Sequence, residues 1–187
     1  MSKLTASQDI SQFLASADKV EAADILEAIK TENLLNQTLI IQADDTVKGY
    51  VGNIGDEAFD NQTTLKGLSL GSSVTIIGDY AFNLCSGLIG ALNIPNAVTS
   101  IGIYAFNNCL GFTGPLTIGN SVNSIGNYAF QNCSGFTGIN INRAVAPTIG
   151  SDVFYGMSSV SPAVIHVPVG ATGYAASYNG LTIVKDL

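Results

Sequence analysis

The sequence predicts a repeat solenoid, and three observations lead to that prediction. Phenylalanine recurs at a nearly fixed interval, and the isoleucine of an Ile-Gly pair recurs with it. Each interval contains one apolar–polar–apolar triplet, which is typical of a short strand with one buried face. A unit of about two dozen residues cannot bury its own apolar face, whereas stacked units bury a continuous core. The recurring phenylalanines are Phe59, Phe82, Phe106, Phe130 and Phe154, which gives coils of 23–24 residues.

The interior of the solenoid is predicted from the residues that recur with the phenylalanines. Cysteine follows three residues later in the middle units, at Cys85, Cys109 and Cys133. That interval is not a zinc spacing, and side chains in register run parallel, which favours buried thiols over disulfides. The recurring glycine, as at Gly102, marks a position where a side chain does not fit or where φ is positive. The predicted strands are Leu68–Leu70, Leu92–Ile94, Leu116–Ile118, Ile139–Ile141 and Ile165–Val167.

A family resemblance follows from the same residues. The pattern I-P-x-x-V-x-x-I-G-x-x-A-F-x-x-C, read from Ile94 onwards, resembles the BspA-like leucine-rich repeats. The resemblance covers roughly residues 38–170 and implies an α/β leucine-rich-repeat solenoid with a short strand and a short helical turn in each coil. It also implies a secreted or surface-displayed protein linked to adhesion. The glycine-containing "GFTG" turns and the insertion "NRAVAP" (residues 142–147) depart from the pattern, and the insertion predicts a local bulge.

The two ends of the array are predicted to be covered, because an uncovered solenoid would polymerise. Residues 1–37 are predicted to form an N-terminal helical cap of two helices, the first beginning at a capping box of Thr5 and Gln8. A dimerisation element is the alternative for these helices, and we expect a monomer. The solenoid then spans residues 38–170, with a degenerate first strand at Leu39–Ile41. Residues 171–187 are predicted to close the last coil through Tyr174, Tyr178, Leu181 and Ile183.

Composition narrows the classes of function. The chain of 187 residues has a formal net charge of -7, which disfavours nucleic acid and anionic membranes as partners. No apolar run is long enough to span a membrane. The N-terminus lacks the unbroken apolar segment of a signal peptide, so the chain is either cytoplasmic or has lost a signal. No nucleophile elbow, phosphate-binding loop, dinucleotide fingerprint or zinc-protease motif occurs, so neither an enzyme nor a cofactor is expected.

Two rows of residues are the candidate binding surfaces. The first row holds one tyrosine per middle coil, two residues before the phenylalanine, and could contact sugar rings or a protein surface, or could only shield the core. The second row holds the outward residues of the strands, which form the binding face by analogy with leucine-rich repeats. The first row is Tyr80, Tyr104 and Tyr128, and the second row is Ser69, Asn93, Thr117, Asn140 and His166.

The predicted function is a non-catalytic module that binds a protein or a glycan. His166 is the chain's histidine, and a general base would need a carboxylate or nucleophile beside it, which neighbouring strand positions do not supply. We therefore interpret His166 as a surface residue. A structural spacer without a ligand is the alternative, because Ile101 to Asn142 contains no Asp, Glu, Lys or Arg that could form a charged hot spot.

Overall fold

The computed structural model describes residues 38–41, 52–157 and 164–187. The predicted N-terminal helical cap lies outside these residues. The described residues form a succession of short strands and tight turns that repeats about five times, with parallel pairing between successive coils.

Each coil contributes one strand to a first row of β-strands. The apolar–polar–apolar triplets form this row because their outer two residues are buried and their middle residue faces outward, as in Leu92–Ile94. The strands pair in parallel without a shift, so that Leu92 faces Leu116 and Leu116 faces Ile139. The row consists of two sheets. The first pairs β1 (Thr38–Ile41) with β3 (Gly67–Leu70), and the second contains β5 (Leu92–Ile94), β7 (Leu116–Ile118), β9 (Ile139–Ile141), β11 (Val164–Val167) and β13 (Leu181–Lys185).

A second, shorter strand follows in each coil at the Ile-Gly segment. These strands form a five-stranded parallel sheet in which isoleucines such as Ile101 and Ile125 lie opposite one another. The recurring isoleucines do not by themselves predict this sheet, because three of its five strands have only two residues and show no alternation. The sheet contains β2 (Gly52–Ile54), β4 (Val74–Ile77), β6 (Ser100–Ile101), β8 (Ser124–Ile125) and β10 (Thr148–Ile149).

The predicted helical turn is wrong for the described coils, which contain tight turns and no helix. In the coil of Phe82, the amide of Asn83 donates to the carbonyl of Tyr80 (3.1 Å) and the amide of Cys85 donates to Phe82 (3.3 Å). The amide of Phe82 itself donates to the carbonyl of Ala105 in the next coil, at 2.7 Å. An α-helix would direct these amides along its own axis. Hydrogen bonding between coils therefore replaces the helix.

The core is a set of columns that run along the solenoid axis. Phe82, Phe106 and Phe130 are fully buried, and their rings stack with centroids 5.1 and 5.3 Å apart. The predicted thiol ladder is confirmed, since the three cysteines are free and buried. Each thiol donates to the carbonyl of a phenylalanine in the preceding coil, as Cys109 does to Phe82 at 3.1 Å. Each of these carbonyls also accepts a backbone amide of its own coil, as Phe82 accepts the amide of Cys85, so the thiol is a second donor that links two coils.

The recurring glycines are required by close approach between coils. A Cβ on Gly102 would come within 2.5 Å of the backbone of Gly78 and Asp79, and Gly78, Gly126 and Gly150 are similarly restricted. None of the four has a positive φ, so steric exclusion is the reason for glycine here. Gly55 has open space at the same position because no coil precedes it among the described residues.

The C-terminal segment closes the last coil. Leu181 is buried, and Tyr174, Tyr178 and Ile183 pack against the core. β12 (Ser177–Tyr178) pairs with β13 in an antiparallel hairpin. At the hairpin turn, the side-chain carbonyl of Asn179 accepts the amide of Phe154 at 3.1 Å. The equivalent amides in earlier coils donate to a backbone carbonyl of the next coil, so the Asn179 side chain substitutes for a further coil.

Candidate binding surfaces

The tyrosine row is a continuous stack. The ring centroids of Tyr80 and Tyr104 lie 5.0 Å apart, and those of Tyr104 and Tyr128 lie 4.8 Å apart, with interplanar angles of 21° and 14°. All three residues have a positive φ of 55–60°, which a tyrosine rarely adopts. The bonds between coils hold this backbone in place, since the amide of Tyr104 donates to the carbonyl of Asn127 at 3.0 Å.

Stacking determines which parts of the tyrosine side chains are accessible to a partner. Both faces of Tyr104 contact a neighbouring ring, so this residue presents its ring edge and hydroxyl group, whereas Tyr80 and Tyr128 each stack on a tyrosine through one face. Burial between the neighbouring rings raises the pKa of Tyr104, and repulsion from ionised Tyr128 and Tyr80 raises it further. Tyr104 therefore stays a neutral hydrogen-bonding group at physiological pH.

The outward residues of the first strand row are aligned from coil to coil. Asn93 faces Thr117, Thr117 faces Asn140, and Asn140 faces His166, each in direct parallel register. Ser69 lies on β3 opposite Ile40 of β1. Neighbouring strands are about 4.8 Å apart, so the row is a flat, regular line of short polar groups. This alignment is a fact of the fold, whereas its use as a binding site remains a prediction.

His166 has a carboxylate partner that the sequence analysis missed. Its Nδ1 lies 2.7 Å from Oδ1 of Asp186, and both side chains are partly exposed. Asp186 follows β13, which pairs with β11 through His166 and Val184, so the two residues meet only when the C-terminal segment closes the solenoid. A pair of this kind could orient the imidazole ring. The facing residue on β9 is Asn140, which is not a nucleophile.

A groove that the sequence analysis did not predict runs across four coils beside the second sheet. It has a volume of about 510 Å³, and the stacked glycines Gly78, Gly102, Gly126 and Gly150 line it. Two rows of side chains border these glycines. The row two residues before the glycines is Ile76, Ser100, Ser124 and Thr148, and the row immediately after a glycine is Asp56, Asp79, Ile103 and Asn127.

The row after the glycines forms a ladder of side-chain acceptors. Oδ1 of Asp56 accepts the amide of Asp79 at 2.8 Å, and Oδ1 of Asp79 accepts the amide of Ile103 at 2.7 Å. Oδ1 of Asn127 accepts the amide of Ser151 at 2.9 Å. Ile103 interrupts the ladder because its side chain has no acceptor for the amide of Asn127. Each of the ladder residues Asp79, Ile103 and Asn127 directly precedes a tyrosine of the stack, so the groove and the tyrosine row share their backbone.

A second, buried ladder of amides lies within the turns. Nδ2 of Asn83 donates to Asp60 at 2.8 Å, and Nδ2 of Asn107 donates to Oδ1 of Asn83 at 2.8 Å. The next coil carries Gln131 at this position, and the buried Oδ1 of Asn107 has no hydrogen-bond partner among the described residues. The ladder therefore ends at an unsatisfied acceptor, which is a local cost in stability.

The buried thiols are unsuited to nucleophilic chemistry. Burial raises the pKa of Cys85 to about 12, and burial together with the neighbouring thiols raises the pKa of Cys109 well above its ordinary value. A thiolate is the reactive form, so Cys85 and Cys109 are inert at neutral pH. Within the described ranges, no group of three or more His, Cys, Asp or Glu residues could hold a metal ion. The part of the chain that the structure describes also has no helix long and apolar enough to cross a membrane.

Comparison with known proteins gives two matches. The family model of the BspA type leucine rich repeat region matches residues 52–179 in six copies. Among solved structures, a leucine rich repeat protein of T. pallidum is similar at 27% sequence identity with a TM-score of 0.57. The match covers 71% of this chain and 60% of that protein, so the chain corresponds to about three fifths of its length. No curated protein matches the chain.

Proposed function

The chain belongs to the BspA-type leucine-rich-repeat family, and from this membership we propose that it is a non-catalytic module that binds a partner protein. Leucine-rich repeats are commonly protein-interaction modules and are generally not enzymes. The proposal includes display outside the cell and a role in adhesion, which the family resemblance implies. It also includes the division into a cap over 1–37, a solenoid over 38–170 and a closing segment over 171–187.

One observation carries the proposal. The groove, the tyrosine stack and the outward strand row all repeat in register across the coils, which gives a regular array of polar groups on a rigid frame. A protein partner fits this array better than a glycan does. Sugars are often held against open aromatic faces, and the faces within the tyrosine stack are covered by one another.

The test is a binding screen of the purified chain against arrays of extracellular proteins and glycans. Two variants accompany the wild-type chain. Replacing the three stacked tyrosines by phenylalanine removes their hydroxyls and keeps the stack. Replacing Asn93, Thr117 and Asn140 by alanine removes the polar strand row. Protein hits that are lost in one variant support the proposal and locate the surface, whereas hits only on glycans contradict it. Protection of the native protein from external protease on intact cells would contradict surface display.

A spacer without a ligand is the second candidate function. The charge-free stretch from Ile101 to Asn142 favours it, because charged side chains often contribute to interaction hot spots. A well-folded chain that binds nothing in the screen, and whose two variants also leave cell adhesion unchanged, would support the spacer over the binding module.

A further inference from the structure

The groove beside the second sheet contains two isoleucines that the fold does not require. Ile76 is 39% exposed and Ile103 is 38% exposed. The other coils carry polar residues at both positions. These are Asn53, Ser100, Ser124 and Thr148 at the position of Ile76, and Asp56, Asp79, Asn127 and Ser151 at the position of Ile103. Both isoleucines line the same groove in neighbouring coils, so they add exposed apolar surface beside its Asp, Asn, Ser and Thr side chains.

Ile103 is present although an asparagine or aspartate would stabilise the fold. At this position, Asp56, Asp79 and Asn127 each accept an amide of the following coil. Ile103 gives up that hydrogen bond and exposes apolar surface to water, and both changes oppose stability. A residue that is unfavourable for folding and lies in a groove is a candidate for a binding contact.

The charge of the groove indicates which charged side chain its occupant carries. Among the residues that the structure describes, Asp56 and Asp79 are the ionisable residues that line it, and no Lys or Arg does. Each carboxylate uses Oδ1 for a backbone amide, which fixes its orientation. A carboxylate has a second oxygen that can accept a charge-assisted hydrogen bond. The acidic end of the groove therefore complements a basic side chain.

We propose that this groove binds an extended segment of the partner protein, with a basic side chain beside Asp56 and Asp79 and an aliphatic side chain between Ile76 and Ile103. This inference rests on the proposed binding function. Successive coils are about 4.8 Å apart, and side chains on one face of an extended chain are roughly 6.6 Å apart. Two positions of the segment therefore span roughly 2 Å more than one coil, and the long, flexible stem of a lysine covers this difference, so that a basic residue and an aliphatic residue two positions apart reach neighbouring coils. A glycan has no aliphatic branch that would use the two isoleucines.

The probes are two pools of labelled hexapeptides. In one pool, Lys and Val are fixed two positions apart and the other positions are randomised. In the matched pool, Glu replaces the fixed Lys. Fluorescence anisotropy at low salt measures binding, since screening weakens exposed charge pairs. We expect the Lys pool to bind about fivefold or more tightly than the Glu pool. Equal binding of the two pools, or no binding of either, would overturn the inference.

Three variants locate the contact. Asp79→Asn removes one charge and keeps the acceptor, as Asn127 does in its own coil, and we expect it to weaken Lys-pool binding about fivefold. Asp60→Asn is the matched control, because it lies outside the groove and Asn83 shows that an asparagine can accept the same bond. We expect this control to bind within about twofold of wild type. Equal losses in both variants would show a general effect of net charge and would refute the site.

Ile103→Asn separates a binding role from a structural role. We expect this variant to unfold at the same or a higher temperature, because it completes the acceptor ladder, and to lose most of its affinity for the Lys pool. A lower unfolding temperature together with unchanged binding would contradict the inference. If the peptide tests fail but the array screen finds a protein whose binding depends on the tyrosine or strand row, the proposed function stands and only the groove inference falls.

Discussion

Truncation of one stacked phenylalanine tests the columnar core directly. In Phe106→Ala, a fully buried ring is removed from between Phe82 and Phe130, whose centroids lie 5.1 and 5.3 Å away. A buried phenylalanine truncated to alanine costs about 3–5 kcal/mol. Each parallel aromatic pair adds about 0.5–1.5 kcal/mol beyond the area buried, so we expect a loss near the top of that range.

Urea unfolding followed by far-ultraviolet circular dichroism measures this loss, provided that the free energy of unfolding falls with urea concentration at the same slope in the variant and the wild-type chain. Asn93→Ala is the control, because Asn93 is exposed on β5, and we expect it to change the free energy of unfolding by no more than about 0.5 kcal/mol. Phe154→Ala is a second comparison, since its one stacking contact, with Phe130, is longer at 6.1 Å. Equal, small losses at Phe106 and Asn93 would refute the stacking register.

Four further predictions concern the glycines, the closing segment, the buried amide ladder and a titration. Gly102→Ala should lower the free energy of unfolding by about 1–3 kcal/mol or prevent folding, because the added Cβ would lie 2.5 Å from backbone atoms. Gly138→Ala is the control, since Gly138 has open space around it, and thermal unfolding should show almost no change. Asn179→Ala should lower the free energy of unfolding by about 1–2 kcal/mol. It should also speed hydrogen exchange of the Phe154 amide, which donates to the Asn179 side chain. Gln131→Asn should raise the free energy of unfolding by roughly 1 kcal/mol, because the side-chain amide of an asparagine at this position can donate to the buried Oδ1 of Asn107. Burial raises the pKa of Tyr174 from 10.0 to about 12. The stability that neutral Tyr174 contributes is therefore complete below pH 10 and is lost as the pH rises through 12. Ultraviolet titration of the wild-type chain against Tyr174→Phe measures this pKa.

The candidate surfaces could be predicted from the sequence only in part. The positions of the tyrosine row and the outward strand row follow from spacing, because residues one coil apart must be neighbours in a solenoid. What these rows present to a partner depends on side-chain packing. The tyrosine stack, for example, depends on a positive φ at Tyr104 that bonds to the next coil impose. The exposed Ile76 and Ile103 could have been noticed as departures from the repeat, although only the structure shows that they share one groove.

The sequence by itself determined the register, the coil length and the buried columns. These properties follow from local periodicity, since an interval of 23–24 residues fixes which side chains meet in the core. The tertiary structure decided the path between the columns. A backbone amide in a turn can donate within its own coil or to a carbonyl of the next coil. Many of these amides donate to the next coil, so the coils contain tight turns where a helical turn was predicted. It also decided how the array closes, because His166 and Asp186, or Phe154 and Asn179, meet only when the last hairpin packs against the final coil. Contacts of this kind join residues at intervals that do not belong to the repeat, so no period in the sequence encodes them.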